Sequence, residues 1–167
     1  MKILVISSIR CGGYYFTDQI ASNYNLKLIH EPNSEIIEET LNDNNCIIKL
    51  LSSSPWMKPE ELKKYAENFD KIFLLDRRNK EEQLRATFHL YEYTHDISVT
   101  YFWNDSMFDK KNPKNSKQYY IDWLDRMTER IEFISEVLKE DIIYYEDLYY
   151  QTDKVKKYVT EISYVYS

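Results

Sequence analysis

Residues Ser7–Thr17 read SSIRCGGYYFT, and this stretch holds both glycines of the 167-residue chain, Gly12 and Gly13, side by side. Glycine lets backbone wrap tightly and approach a ligand closely. Two residues before the pair, Arg10 supplies a permanent charge in a planar fork that matches phosphate or sulfate oxygens. The stretch follows an apolar run, KILVIS at Lys2–Ser7, and precedes a helical pattern. A loop between a buried strand and a helix start turns successive N–H groups onto one spot, which makes an anion site. The plainer reading is a tight strand–helix turn with a surface arginine. The loop lacks the GxxxxGK[ST] pattern of ATP and GTP hydrolases and the GxGxxG of dinucleotide sites. A thiol phosphatase needs Cys-x5-Arg, but the sixth residue after Cys11 is Thr17. Cys11 stands where a helix N-terminus lowers a thiol's pKa.

A second chemical feature is Lys49, a charge inside the apolar run CIIKLL at Cys46–Leu51. It either reaches along the strand to a pocket or snorkels to a sheet edge. A third is the pair Arg77-Arg78, which directly follows the run KIFLLD at Lys71–Asp76. Arg77 and Arg85 also suit surface salt bridges. His89 and His95 have no visible partners and read as structural.

The elements that must position these groups alternate. Strands are expected over Lys2–Ser7, Leu26–His30, Cys46–Leu51, Lys71–Asp76 and Asp141–Tyr145. Helices are expected over Tyr15–Tyr24, over Glu35–Leu41 with Ser34 as cap, and over Pro59–Asn68 with proline in the first turn. Asn79 with Glu82 resembles a capping box for a helix to about Tyr93. Tyr120, Trp123, Leu124, Met127, Ile131, Ile134 and Leu138 form one apolar face of a helix over Tyr119–Leu138. A terminal helix is expected at Asp153–Ile162. Thr94–Gln118 carries Phe102 and Trp103, which suit packing, and then a polar stretch, Asp109–Lys117, that reads as a mobile loop. Alternating strands and helices imply a three-layer α/β/α fold with a mainly parallel five-stranded sheet. Ligands of such sheets sit at the carboxyl ends of the strands. Length and the absence of repeats or linkers suggest one domain over 1–167.

Composition narrows the function classes. The formal net charge of −6 argues against broad nucleic-acid or membrane-surface binding. Cys11 and Cys46 show neither metal spacing nor a disulfide framework and read as free thiols. No run approaches the ~20 apolar residues of a membrane span, and no leader sequence is visible. These features lead us to expect a cytoplasmic protein. The 16 tyrosines suit core edges, where an aromatic body meets a polar tip.

Three blocks, in order, resemble the sulfotransferase family of the P-loop superfamily. Ile9-Arg10-Cys11-Gly12-Gly13-Tyr14 is similar to its 5′-phosphosulfate loop. Arg77-Arg78-Asn79-Lys80 with Gln83, inside Lys71–Tyr93, resembles its 3′-phosphate segment. Ile142–Tyr150, IIYYEDLYY, resembles a late strand running into Tyr-Glu-Asp-Leu. Glu31, in His30-Glu31-Pro32, stands where several members carry a general base. The resemblance implies a P-loop NTPase-like fold and a donor, 3′-phosphoadenosine 5′-phosphosulfate (PAPS). It implies that Arg10 and the backbone of Cys11, Gly12, Gly13, Tyr14 and Tyr15 hold the leaving 5′-phosphate. Arg78, with Thr87 in place of the family's serine, would hold the 3′-phosphate. Glu31 would be the base, with His30 as alternate, and Lys49 joins Arg10 and Glu31 among the catalytic candidates. The acceptor would be a small molecule or saccharide bearing a hydroxyl or amine, and no metal would be needed. The chain departs from the pattern at Cys11, at Gly13-Tyr14 and at Ala86, where hydroxyl residues are usual. Two other readings stand beside this one. One is a non-catalytic nucleotide- or protein-binding domain of the same fold; the other is a P-loop small-molecule kinase, against which the missing loop lysine counts.

Overall fold

The computed structural model describes residues 1–32, 42–53, 58–93 and 105–149, without the side chains of Pro59, Glu60 and Tyr149. The helices expected at Glu35–Leu41 and Asp153–Ile162, together with His95, Phe102 and Trp103, lie outside the described residues.

Five strands form one parallel sheet. They are β1 (Lys2–Ser7), β2 (Lys27–His30), β3 (Cys46–Leu51), β4 (Lys71–Asp76) and β5 (Ile142–Tyr144), in the order β2-β3-β1-β4-β5. Five helices are described: α1 (Gly13–Tyr24), α2 (Pro59–Ala66), α3 (Lys80–Glu92), α4 (Lys117–Leu138) and α5 (Tyr145–Tyr149). A 3-10 turn spans Asp105–Asp109. The central strand β1 is apolar without alternation because both of its faces are covered: Ile3, Leu4, Val5 and Ile6 are all fully buried. Ile3, Val5, Ile47, Phe73 and Leu75 pack with Phe16 and Ile20 of α1. Leu4, Ile6, Ile48, Leu50 and Leu74 pack on the opposite face with Leu62 of α2 and Ile131 and Ile134 of α4. A third cluster joins α3 to α4 through Leu84, Phe88, Tyr120, Leu124 and Met127.

Cap chemistry sets the helix starts. Ser116 Oγ accepts the Tyr119 N–H at 3.1 Å, so α4 begins at Lys117, two residues before the sequence-based expectation. Asn79 Oδ1 accepts the Glu82 N–H at 3.1 Å. The reciprocal half of the capping box is absent, because the Glu82 carboxylate turns to Arg77. Glu146 replaces it, accepting the N–H groups of Asn79 at 2.8 Å and Arg78 at 3.0 Å. Replacing Asn79 by Ala is expected to cost about 1 kcal/mol. A thermal melt should show a fall of about 2–4 °C for a domain of this size.

The polar stretch Asp109–Lys117 is not the loose loop its composition suggests. Glu92, at the end of α3, is buried, and its carboxylate accepts the N–H groups of Lys114 at 2.7 Å and Asn115 at 2.9 Å. The Tyr120 hydroxyl donates to the same carboxylate at 2.6 Å. Lys110 Nζ donates to the Glu92 carbonyl. Among the described residues, no helix is long and apolar enough to cross a membrane.

Candidate functional site

The carboxyl ends of β1, β3 and β4 and the start of α1 surround a cavity of about 370 Å3. That volume lies in the usual range for small-ligand sites, roughly 300–1,000 Å3. Of the residues singled out from sequence, it brings together Arg10, Gly12, Gly13, Tyr14, Tyr15, Glu31 and Lys49.

The loop between β1 and α1 is held from below. Ser8 Oγ donates to Asp76 Oδ1 at 2.5 Å, and Gln83 Nε2 donates to Ser8 Oγ at 2.9 Å and to the Ile9 carbonyl at 2.6 Å. Both Asp76 oxygens are also bound by Lys80 Nζ, at 2.9 and 2.8 Å. Above this network Arg10 and Gly12 adopt left-handed backbone, with φ of 55° and 78°. Gly12 is the N-cap of α1 and supplies no side-chain cap. Gly13 is required for space rather than for φ. A Cβ there would lie 2.8 Å from Lys49 Cε and 3.2 Å from Ser7 Oγ.

Lys49 resolves to the pocket, not the sheet edge. Its side chain is only 3% exposed, and its Nζ lies 2.6 Å from Glu31 Oε1. The ammonium also sits 4.5 Å from the centre of the Tyr14 ring. Glu31 has left-handed backbone, φ 44°, and donates its N–H to the Lys49 carbonyl at 2.7 Å. The Tyr14 hydroxyl donates to Glu31 Oε1 at 3.3 Å. Burial and the Glu31 charge both push the Tyr14 phenol up, so it stays a donor. His30 does not line the cavity. Burial and the Lys49 charge lower its pKa, against the pull of Asp18.

Two expected phosphate ligands lie elsewhere. Arg78 makes a two-bond fork to Asp147, at 2.9 and 2.8 Å, and packs over Tyr144; it is not among the lining residues. Its neighbour Arg77 lines the cavity instead, with its guanidinium over the Tyr145 ring and paired to Glu82. Arg77 Nε is buried and makes no hydrogen bond among the described residues. Thr87 is fully buried, and its hydroxyl donates to the Gln83 carbonyl at 2.7 Å, back within its own helix. Cys11 also turns away. Its thiol is buried in the core beneath α1 and donates to the Ser8 carbonyl at 3.0 Å. Burial raises its pKa above the usual thiol value, the reverse of the lowering that a helix start would give. Ser8, Leu51, Leu90, Tyr91 and Tyr145 also line the cavity and were not picked out from sequence. The signal for the last two was the tyrosine excess: Tyr14, Tyr15, Tyr91 and Tyr145 all border this one space.

The lining therefore carries three cations, Arg10, Lys49 and Arg77, against one carboxylate, Glu31. In a chain of net charge −6 this is a local reversal of sign, which concentrates an anionic ligand there. Among the described residues, no group of three or more His, Cys, Asp or Glu side chains is placed to hold a metal ion.

No family model and no curated protein matches the chain. Solved structures do. Shikimate kinase from Bacteroides thetaiotaomicron is similar with a TM-score of 0.58 and 9% identity, over 99% of this chain and 97% of that one. The YorR protein of Bacillus subtilis, solved in complex with phosphorylated GDP, is similar with a TM-score of 0.54 and 7% identity, over 99% and 95%. At such identities the likeness bears on architecture alone, and it agrees with the parallel sheet and flanking helices described above. The chain shares with these two proteins an α/β fold, a five-stranded parallel sheet with flanking helices.

Proposed function

We propose that this protein binds a nucleotide through the cavity and moves a sulfuryl group from PAPS to a hydroxyl or amine of a small-molecule or saccharide acceptor. One observation carries the reading. Three cations, the start of α1 and a carboxylate meet in one cavity, while Tyr14-Tyr15 occupies the place of the Lys-[ST] pair that follows the second glycine in Mg-ATP sites. Sulfuryl transfer asks for positioning and charge stabilisation and can proceed without that pair. Arg10 and the loop backbone from Cys11 to Tyr15 hold the 5′-phosphate. Arg77, rather than Arg78, is the second anion ligand. The acceptor oxygen or nitrogen attacks sulfur, the bond from sulfur to the bridging phosphate oxygen breaks, and adenosine 3′,5′-bisphosphate leaves. The acceptor's proton passes to the Glu31 carboxylate. A second reading, phosphoryl transfer from ATP, draws on the likeness in fold to shikimate kinase.

The test is calorimetric titration with adenosine 3′,5′-bisphosphate, with Mg-ATP as comparison. Metal-independent binding is expected. Charge-assisted hydrogen bonds contribute roughly 1.5–3 kcal/mol, so Arg10→Ala and Arg77→Ala should each weaken binding by about 10- to 100-fold. Arg78→Ala should change it by less than about twofold. Binding of Mg-ATP alone would move the assignment to the kinase reading. Binding of neither ligand by the folded protein would sink both.

A further inference from the structure

The cavity contains an ion pair that conflicts with the work asked of its members. Glu31 is to take a proton, yet its Oε1 lies 2.6 Å from the Lys49 ammonium. Lys49 is to meet an incoming anion, yet it is already bound to a carboxylate. We infer that Glu31 is a built-in stand-in for the ligand's anion: it holds Lys49 in place while the site is empty, and the arriving phosphate takes Lys49 from it. This rests on the reading that the loop binds an anion, and it adds what that binding does to Glu31.

Four observations place the exchange here. Lys49 is 3% exposed, and a buried ammonium without a partner is costly. Some anion must accompany it in every state. Glu31 is its one ion-pair partner among the described residues. The space for the lysine stem exists because Gly13, the first residue of α1, has no side chain. This puts the lysine against the loop that would cradle a phosphate. Finally, Glu31 is 33% exposed at its side chain and sits on left-handed backbone at the end of β2. Its partly exposed carboxylate can therefore give up the cation at small cost and stay in the cavity lining, whereas the buried Lys49 needs a partner. When a phosphate oxygen replaces the carboxylate beside Lys49, Glu31 loses its cation and keeps the weaker hydrogen bond from the Tyr14 hydroxyl, 3.3 Å away. The base is then freed only when the donor is seated. By linkage, whatever releases Glu31 also tightens the anion.

The consequence runs against intuition: removing the carboxylate strengthens anion binding. The probe is inorganic pyrophosphate, titrated calorimetrically into wild type, Glu31→Gln, Lys49→Met and the double variant, each first shown to be folded by its thermal melt. Glu31→Gln should bind about tenfold tighter than wild type, and Lys49→Met about tenfold weaker or worse. In the Lys49→Met background, Glu31→Gln should change affinity by less than about twofold, because the two residues act through one another. Asp18→Asn, a carboxylate of α1 that lies outside the cavity lining, should shift affinity by less than about twofold. An unchanged affinity in Glu31→Gln overturns the exchange, as does a gain of equal size with Lys49 absent, which would reveal a general field effect. If adenosine 3′,5′-bisphosphate binds but Glu31→Gln gains nothing, the exchange alone fails. If neither probe binds any variant, the anion site itself falls with it.

Discussion

Replacing Glu92 by Ala should cost about 3 kcal/mol of stability, the largest loss we expect from a single polar side chain here. A thermal melt should show this as a fall of about 6–12 °C. The size follows from the number of donors converging on one buried carboxylate. The N–H groups of Lys114 and Asn115 and the Tyr120 hydroxyl all lose their acceptor. Tyr120 is itself nearly inaccessible, and burial together with Glu92 pushes its phenol up to about 12, so it remains a donor. Burial pushes the Glu92 carboxyl upward, but the Tyr120 hydroxyl, the two N–H groups and Lys110 outweigh this and leave it below the usual glutamate value. A carboxylate depressed in the folded state contributes stability above its unfolded pKa, and that contribution is lost as pH falls through the folded value. Wild type should therefore lose stability in acid more steeply than Glu92→Gln, in urea melts taken from pH 6 downward through the carboxylate range. Parallel curves for the two proteins would show that Glu92 does not carry this linkage.

Gly13→Ala should have the opposite profile, with a small effect on folding and a large one on binding. Alanine suits a helix better than glycine, but its methyl group would stand 2.8 Å from Lys49 Cε. The lysine stem must shift, and the ammonium is displaced from the loop while it keeps Glu31 as its partner. We expect adenosine 3′,5′-bisphosphate affinity to fall by about 10- to 100-fold, equivalent to the loss of one charged contact. The melting temperature should stay within about 4 °C of wild type. Full affinity in this variant would show that the position of Lys49 does not matter to the ligand.

The contrast between these two residues tracks what the sequence made legible. Apolar runs located β1, β3 and β4 to the residue, because strands covered on both faces leave an unbroken signature at Lys2–Ser7, Cys46–Leu51 and Lys71–Asp76. The adjacent glycines located the loop. Which member of Arg77-Arg78 faces the cavity was not legible. Consecutive residues leaving a strand point to opposite sides, and the side is fixed by the α5 residues Glu146 and Asp147, which engage Arg78 from across the fold. Thr87 looked available as a hydroxyl, yet a threonine inside a helix readily bonds to the carbonyl four residues back, as it does here to Gln83. Glu92 carried no sequence signal at all, since a glutamate late in a helix ordinarily faces water. Its partners lie 22, 23 and 28 residues onward, and only the packing of α3 on α4 creates the burial.

The left-handed backbone at Arg10 and Glu31 has a consequence for anyone redesigning this protein. Left-handed geometry costs an L-residue roughly 1–2 kcal/mol, and asparagine, as at Asn25 and Asn112, tolerates it better. At φ 55° and 44° an optimisation that scores only folding will substitute glycine at both positions and register an improvement. Those two changes would erase a guanidinium and a carboxylate from the same cavity. Thermostabilisation campaigns on this scaffold therefore meet their most tempting substitutions at the ligand site, and a library that holds these two positions fixed would keep the anion ligand Arg10 and the proposed proton acceptor Glu31 in its hits.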